Sequence, residues 1–170
     1  MKETGAAAGS AITLDAWTGE VLAVSNYPVF NPNSREALDF SGARNRALTD
    51  AYEPGSTIKT LTLVAALESG QFNIDSSVDT APGRIRVGSK MLHDPRDYGE
   101  ISVSRVIEKS SQVGVTKIAQ AVGYEAILDV LYRFGLGEST GTGFPGERAG
   151  QLPDLVHWSD LEKVTLAFGY

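Results

Sequence analysis

A serine and a lysine stand three residues apart in Tyr52-Glu53-Pro54-Gly55-Ser56-Thr57-Ile58-Lys59. Glu53, Pro54 and Gly55 read as a turn, Thr57 to Leu67 as a helix, and Glu68-Ser69-Gly70 as its close. Gly70 falls where a helix commonly ends on a left-handed glycine. Residues i and i+3 share a helix face, so the Lys59 amine can approach the Ser56 hydroxyl. A serine hydroxyl is a poor nucleophile until a base removes its proton. Lysine serves as that base when burial lowers its pKa. The helix start adds unpaired backbone N–H groups and a positive dipole end, both favourable to negative charge developing at Ser56. Taken bare, the spacing is weak evidence, because Ser-x-x-Lys most often marks a solvated helix start.

A second cluster follows about fifty residues later: Lys109-Ser110-Ser111-Gln112-Val113-Gly114, at an expected helix–helix junction. By residue type alone, Ser-Ser-Gln at such a junction is a helix cap. Arg44 and Arg46 flank Asn45 just before the serine motif. They suit either an anion site or the tying-down of a loop, and the structural role is favoured.

These residues need elements to position them. Ser10 to Asp15, Ala16-Trp17-Thr18-Gly19 and Glu20 to Ser25 predict a β-hairpin. A polar loop with Pro28, Asn31, Pro32 and Asn33 comes next. After the Ser56 helix, residues 75–100 predict an irregular or hairpin segment with short strands such as Arg84 to Val87. Ser102 caps a short helix through about Lys109, and Val113 to Val122 forms another. Tyr124 to Phe134 is amphipathic, with Ile127, Leu128, Leu131 and Phe134 assigned to core packing. Gly135 ends it, and a Gly/Pro-rich loop runs to Pro153. Ser159 and Glu162 form a capping box for a last helix carrying Leu161, Val164 and Leu166, with Phe168 beyond. One two-stranded hairpin followed by four or five helices is lopsided. An isolated hairpin is marginal and shows both edges, so the α+β layout reads as one with strands missing.

The 170 residues suffice for one domain, and 42 % hydrophobic with 21 % charged residues is ordinary globular composition. A net charge of −6 without a basic cluster argues against nucleic-acid binding. Without cysteine, thiol chemistry and disulfides are excluded. His93 and His157 stand in no metal-ligand spacing and read as loop histidines. No metal or cofactor is expected. No signal or bilayer-length apolar segment is present in these residues.

Together the two clusters resemble the penicillin-recognising serine transferases, which combine Ser-x-x-Lys, Ser-x-Asn and Lys-Thr/Ser-Gly. That motif set is an established signature of the superfamily and is not deduced from these residues. The likeness narrows to the class B penicillin-binding proteins. Leu14-Asp15-Ala16-Trp17-Thr18-Gly19-Glu20-Val21-Leu22-Ala23, Asn31-Pro32-Asn33, Arg44-Asn45-Arg46-Ala47 and Tyr52 to Lys59 stand in the expected order. So do Lys109-Ser110-Ser111, Phe134-Gly135-Leu136-Gly137, Gly143-Phe144-Pro145-Gly146-Glu147-Arg148 and Ala167-Phe168-Gly169-Tyr170. The series is similar to the division-specific penicillin-binding protein 3 type of Gram-negative bacteria, from about Gly9 to Tyr170.

The resemblance implies a D,D-transpeptidase that cross-links peptidoglycan stem peptides during septal synthesis and is acylated by β-lactams. Ser56 would be the nucleophile, Lys59 its base and Ser110 the proton relay. The Ser56 N–H would form half of the oxyanion hole, and Gln112 would contact the substrate amide. Glu53 and Tyr170 would lie by the cleft, although a surface carboxylate and a packed aromatic are equally good readings. It further implies an inner-membrane anchor, a periplasmic catalytic domain, and a septal glycosyltransferase and other division proteins as partners. Two departures stand out. Gln112 replaces the family asparagine, displacing the amide by about one methylene, and Lys-Thr/Ser-Gly does not occur in the chain. The expectation is a truncated transpeptidase domain over residues 1–170: the opening hairpin and helical subdomain without the later strands, inactive by itself. Alternatives are a non-catalytic scaffold of the same fold and a serine β-lactamase or β-lactam sensor.

Overall fold

The computed structural model describes residues 2–31, 33, 43–152 and 154–170. Pro32 and Pro153, in two of the expected loops, lie outside the described residues. The chain forms two compact units, residues 1–51 with 139–149, and residues 52–138 with 150–170.

In the first unit, β1 (Gly9–Leu14) pairs antiparallel with β2 (Val21–Tyr27), from Gly9 opposite Tyr27 to Leu14 opposite Val21, with a bulge at Thr13/Leu14. Asp15 makes the turn: its Oδ1 accepts the N–H groups of Trp17 and Thr18, both at 2.8 Å, and Gly19 has φ +74°. The one-turn helix α1 (Arg46–Thr49) is tied to β2 by Asn26, which accepts the Ala47 N–H at 2.9 Å. Arg44 and Arg46 both pair with Asp50, the loop-fastening role favoured from sequence. Residues 139–149 close on Glu147, whose carboxylate accepts the Thr140 N–H (2.6 Å) and the hydroxyls of Thr140 (2.7 Å) and Thr142 (2.8 Å).

The second unit packs α2 (Ile58–Glu68) against α4 (Gln112–Val122) and α5 (Tyr124–Arg133). The short helices α3 (Val103–Glu108) and α6 (Asp160–Leu166) complete it. Alanine at 65 and 66 lets neighbours approach α2, and Val106, Val115, Ile118, Ile127, Leu131 and Val164 fill the core. Gly114 is required where α4 meets α3, since a Cβ there would come within 2.7 Å of the Val106 side chain. Caps set the helix starts, as side-chain acceptors for the first N–H groups do in general. Ser102 accepts from the Arg105 N–H, Ser111 from that of Gly114, and Ser159 with Glu162 forms the expected capping box.

Two expectations change. The 75–100 segment forms the expected hairpin, β4 (Arg84–Val87) with β5 (Lys90–His93), but also an unforeseen antiparallel pair, β3 (Ser77–Asp79) with β6 (Glu100–Ser102). The described residues therefore carry three two-stranded sheets and six helices. Phe134 is not core: α5 ends at Arg133 and Phe134 is 59 % exposed, while Val130 is buried in its stead. Phe134 is the C-cap, one residue beyond the last helical position, and Gly135 turns the chain away with φ +78°. Among the described residues, no helix is long and apolar enough to cross a membrane.

Candidate active site

The site is assembled wholly within the second unit. Ser56 sits on a 3-10 turn, Gly55–Thr57, that runs directly into α2. Gly55 has φ +63°, a value open to glycine, and Thr57 Oγ1 donates back to the Pro54 carbonyl at 2.9 Å. Ser56 is exposed, and its hydroxyl has no hydrogen-bond partner among the described residues. One turn on, Lys59 is only 5 % exposed.

Lys59 Nζ donates to Ser110, to the carbonyl oxygen at 2.6 Å and to Oγ at 2.9 Å. Sequence spacing pointed the lysine at Ser56, whereas the structure binds its ammonium to the second cluster, 51 positions away. Ser110 can offer both oxygens because it adopts φ +50°, the only described non-glycine residue with positive φ. Such backbone strain gathers at functional sites. Burial lowers the proton affinity of Lys59 below the usual lysine value, and the charge of Asp94 partly opposes this.

Ser111 is the N-cap of α4, and Gln112 is its first residue, half-buried. Asp94, buried at the end of β5, holds this junction. Its Oδ2 accepts the Ser111 hydroxyl at 2.5 Å, and its Oδ1 accepts the N–H groups of Gln112 (2.6 Å) and Val113 (3.1 Å). Sequence reading missed Asp94, since His-Asp-Pro looks like an ordinary turn and its partners lie seventeen to nineteen positions on.

The segment after α6 holds the nucleophile turn from the other side. The Gly55 N–H donates to the Gly169 carbonyl at 3.0 Å, and Thr62 Oγ1 donates to the Ala167 carbonyl at 2.8 Å. A Cβ on Gly169 would fall well inside contact distance of the Gly55 carbonyl. The Tyr170 phenol lies 3.7 Å from where a Cβ on Gly55 would stand, and its ring is 60 % exposed and tilted against Phe168. Ser56, Lys59, Ser110, Gln112 and Tyr170 thus belong to one neighbourhood. Glu53 is exposed, two residues before Gly55, and makes no hydrogen bond or ion pair among the described residues. Neither histidine joins the site: both are exposed, and His157 pairs with Asp154. No metal-binding cluster occurs among the described residues.

The mixed α+β second unit thus holds a buried lysine bonded to a Ser-Ser-Gln junction, one turn from an exposed serine. Residues 9–170 match the family described as penicillin binding protein transpeptidase domain. The peptidoglycan D,D-transpeptidase FtsI of Escherichia coli K12 is 42 % identical over 97 % of this chain. The probable peptidoglycan D,D-transpeptidase PenA of Neisseria gonorrhoeae is 38 % identical over 97 %. Among solved structures, the transpeptidase domain of Burkholderia pseudomallei penicillin-binding protein 3 superposes with a TM-score of 0.85 at 35 % identity, covering 99 % of this chain and 46 % of that one. A Burkholderia ambifaria protein described as a peptidoglycan glycosyltransferase gives 0.86 at 36 %, covering 99 % and 49 %. The chain belongs to the penicillin-binding protein transpeptidase family. It spans 28 % of the length of both the Escherichia coli and the Neisseria relatives.

Proposed function

We propose that these residues carry the acylation machinery of a peptidoglycan D,D-transpeptidase, and that β-lactams acylate the same serine. Ser56 Oγ attacks the scissile carbonyl of a stem peptide. Neutral Lys59 Nζ takes the Ser56 proton, and the Ser110 hydroxyl passes a proton to the leaving amine as the C–N bond breaks and the acyl-serine forms. The Ser56 N–H supplies one oxyanion donor, and Gln112 and Tyr170 line the substrate. The observation that carries this reading is the buried Lys59 ammonium on the Ser110 hydroxyl at 2.9 Å, one turn from an exposed serine. In a solvated helix start, the ordinary meaning of Ser-x-x-Lys, the lysine would be exposed.

The names of the relatives support the same substrate class. Anchorage in the inner membrane, a periplasmic active site, and work beside a septal glycosyltransferase extend the proposal on the strength of the family resemblance. The test is labelling of the native protein with a fluorescent penicillin, followed by peptide mass spectrometry. A stable adduct on Ser56 is the expected result. An adduct on Ser110 or Ser111 overturns the assignment, rapid turnover indicates a β-lactamase, and no adduct indicates a non-catalytic scaffold.

A further inference from the structure

Asp94 takes no part in the proton path just described, yet it is the most heavily engaged carboxylate near it. It is 8 % exposed and accepts three hydrogen bonds, all from the three residues that follow Ser110. Its own N–H donates to the Gly83 carbonyl at 2.9 Å, which fixes it to the β4–β5 pair. We propose that Asp94 is a positioning residue of the active site, one that clamps the Ser110–Gln112 junction in its strained form and supplies the counter-charge of Lys59. This rests on the reading of Lys59 as the base for Ser56.

The clamp follows from the geometry. Ser110 is held at φ +50°, which a side-chain-bearing residue adopts only when its surroundings compel it. On its N-terminal side the chain is fixed by α3, with the Ser110 N–H on the Ile107 carbonyl at 2.9 Å. On its C-terminal side the next three residues are all bonded to one carboxylate. With both flanks fixed, the carbonyl and hydroxyl of Ser110 face Lys59 together. A carboxylate at the N-terminus of an eleven-residue helix is also favoured by the helix dipole.

The counter-charge follows from what else surrounds Lys59. Helices α3, α4 and α5 pack against α2. On α3, Arg105 and the following Lys109 pair with Glu108. Lys117 of α4 pairs with Asp79. On α5, Glu125 is exposed, and Arg133 engages Asp129 and Glu68. Asp94 is the charge that acts on Lys59, favouring its protonated form against the burial that disfavours it. The result is a lysine whose proton affinity burial lowers and one side chain, Asp94, holds up in part.

The test compares acylation rates by a fluorescent penicillin from pH 5 to 10 in the native protein, Asp94→Asn and Ser111→Ala. Asparagine removes the charge and keeps one oxygen to accept the Gln112 and Val113 N–H groups, while its NH2 replaces Oδ2 and would donate to the Ser111 Oγ. The acid limb of its profile is expected about one pH unit lower. Ser111→Ala keeps the charge and removes one of the three clamping bonds, together with the acceptor for the Gly114 N–H at the start of α4. It should lower the plateau by roughly tenfold to a hundredfold and leave the limb where it is. An unmoved limb in Asp94→Asn overturns the counter-charge, and a normal plateau in Ser111→Ala overturns the clamp. If circular dichroism shows Asp94→Asn unfolded, Ser111→Ala decides the clamp and Asp94→Glu, which keeps the charge, decides the counter-charge: its limb should stay near the native one, and a limb moved down by a full unit overturns the counter-charge. Failure of the underlying reading is distinguishable: Lys59→Arg would then acylate as the native protein does.

Discussion

An ammonium group buried to 5 % exposure is held at a cost, and in the proposed role of Lys59 as base that cost favours proton transfer. Burial lowers the lysine pKa below its ordinary 10.5. In the proposed mechanism the neutral amine is the active form, so acylation should rise with pH through the lowered value and level off above it. A rate profile measured with penicillin checks the sign: a rate that falls as the amine deprotonates is incompatible with a base at this position. Lys59→Arg should abolish labelling although the charge is retained, since arginine does not release its proton. At the neighbouring Gln112, the first residue of α4, shortening by one methylene to asparagine should leave the acylation rate equal or higher. A large fall would show that the junction is fitted to glutamine. Lys59 was legible because its spacing to Ser56 is local. Its partner was not, because no rule of spacing relates position 59 to the carbonyl and hydroxyl of Ser110.

Elements whose signals are local were legible in the same way. The capping box of α6, the Ser102 and Ser111 caps and the glycine ends of α2 and α5 all follow from neighbouring residues. The β3–β6 pair was not foreseen, because three-residue strands carry almost no pattern and their register joins Ser77 to Ser102. Phe134 misled because helical periodicity extends one residue beyond where α5 stops. Two predictions belong here. Gly169→Ala puts a methyl into the Gly55 carbonyl at a residue with φ +87°. A loss of roughly 2–4 kcal/mol in chemical denaturation is expected, together with loss of penicillin labelling; a native melting curve would mean that the turn yields freely. In residues 139–149, the Thr140 and Thr142 hydroxyls and the Thr140 N–H bring the Glu147 carboxyl down to about 2. A carboxyl depressed on folding stabilises above its unfolded value, about 4.5, and loses that contribution as pH falls through about 2. Amide exchange at Thr140 should therefore stay protected at pH 4 and open near pH 2. Glu147→Gln should remove that pH dependence.

At the scale of the whole chain, the apolar side chains of the β1–β2 ribbon remain on the surface. Ile12 (47 %), Leu14 (54 %), Trp17 (96 %), Val21 (49 %) and Leu22 (60 %) are all exposed. Lone exposed apolar residues are ordinary, but a run of them on a two-stranded ribbon with open edges favours association. The 170-residue chain should show concentration-dependent light scattering. Leu22→Ser with Trp17→Ser should reduce it without lowering the melting temperature, and scattering that is flat with concentration would show that the ribbon is not adhesive. This exposure was the physical content of the lopsided layout read from sequence, in which a hairpin had more apolar surface than its neighbours could cover.

The bonds from Thr62 to Ala167 and from Gly55 to Gly169 also place the active site in time. Thr62 and Ala167 are 105 positions apart, and the turn bearing Ser56 is not fastened until both ends of that interval meet. At synthesis rates of about 5–20 residues per second, a nascent chain carries its nucleophile helix unfastened for roughly 5–20 s. Contacts this distant in sequence are also slow to close once the chain is complete. Local helices and caps can form early, whereas fastening of the turn that bears Ser56 waits on a contact across more than a hundred positions.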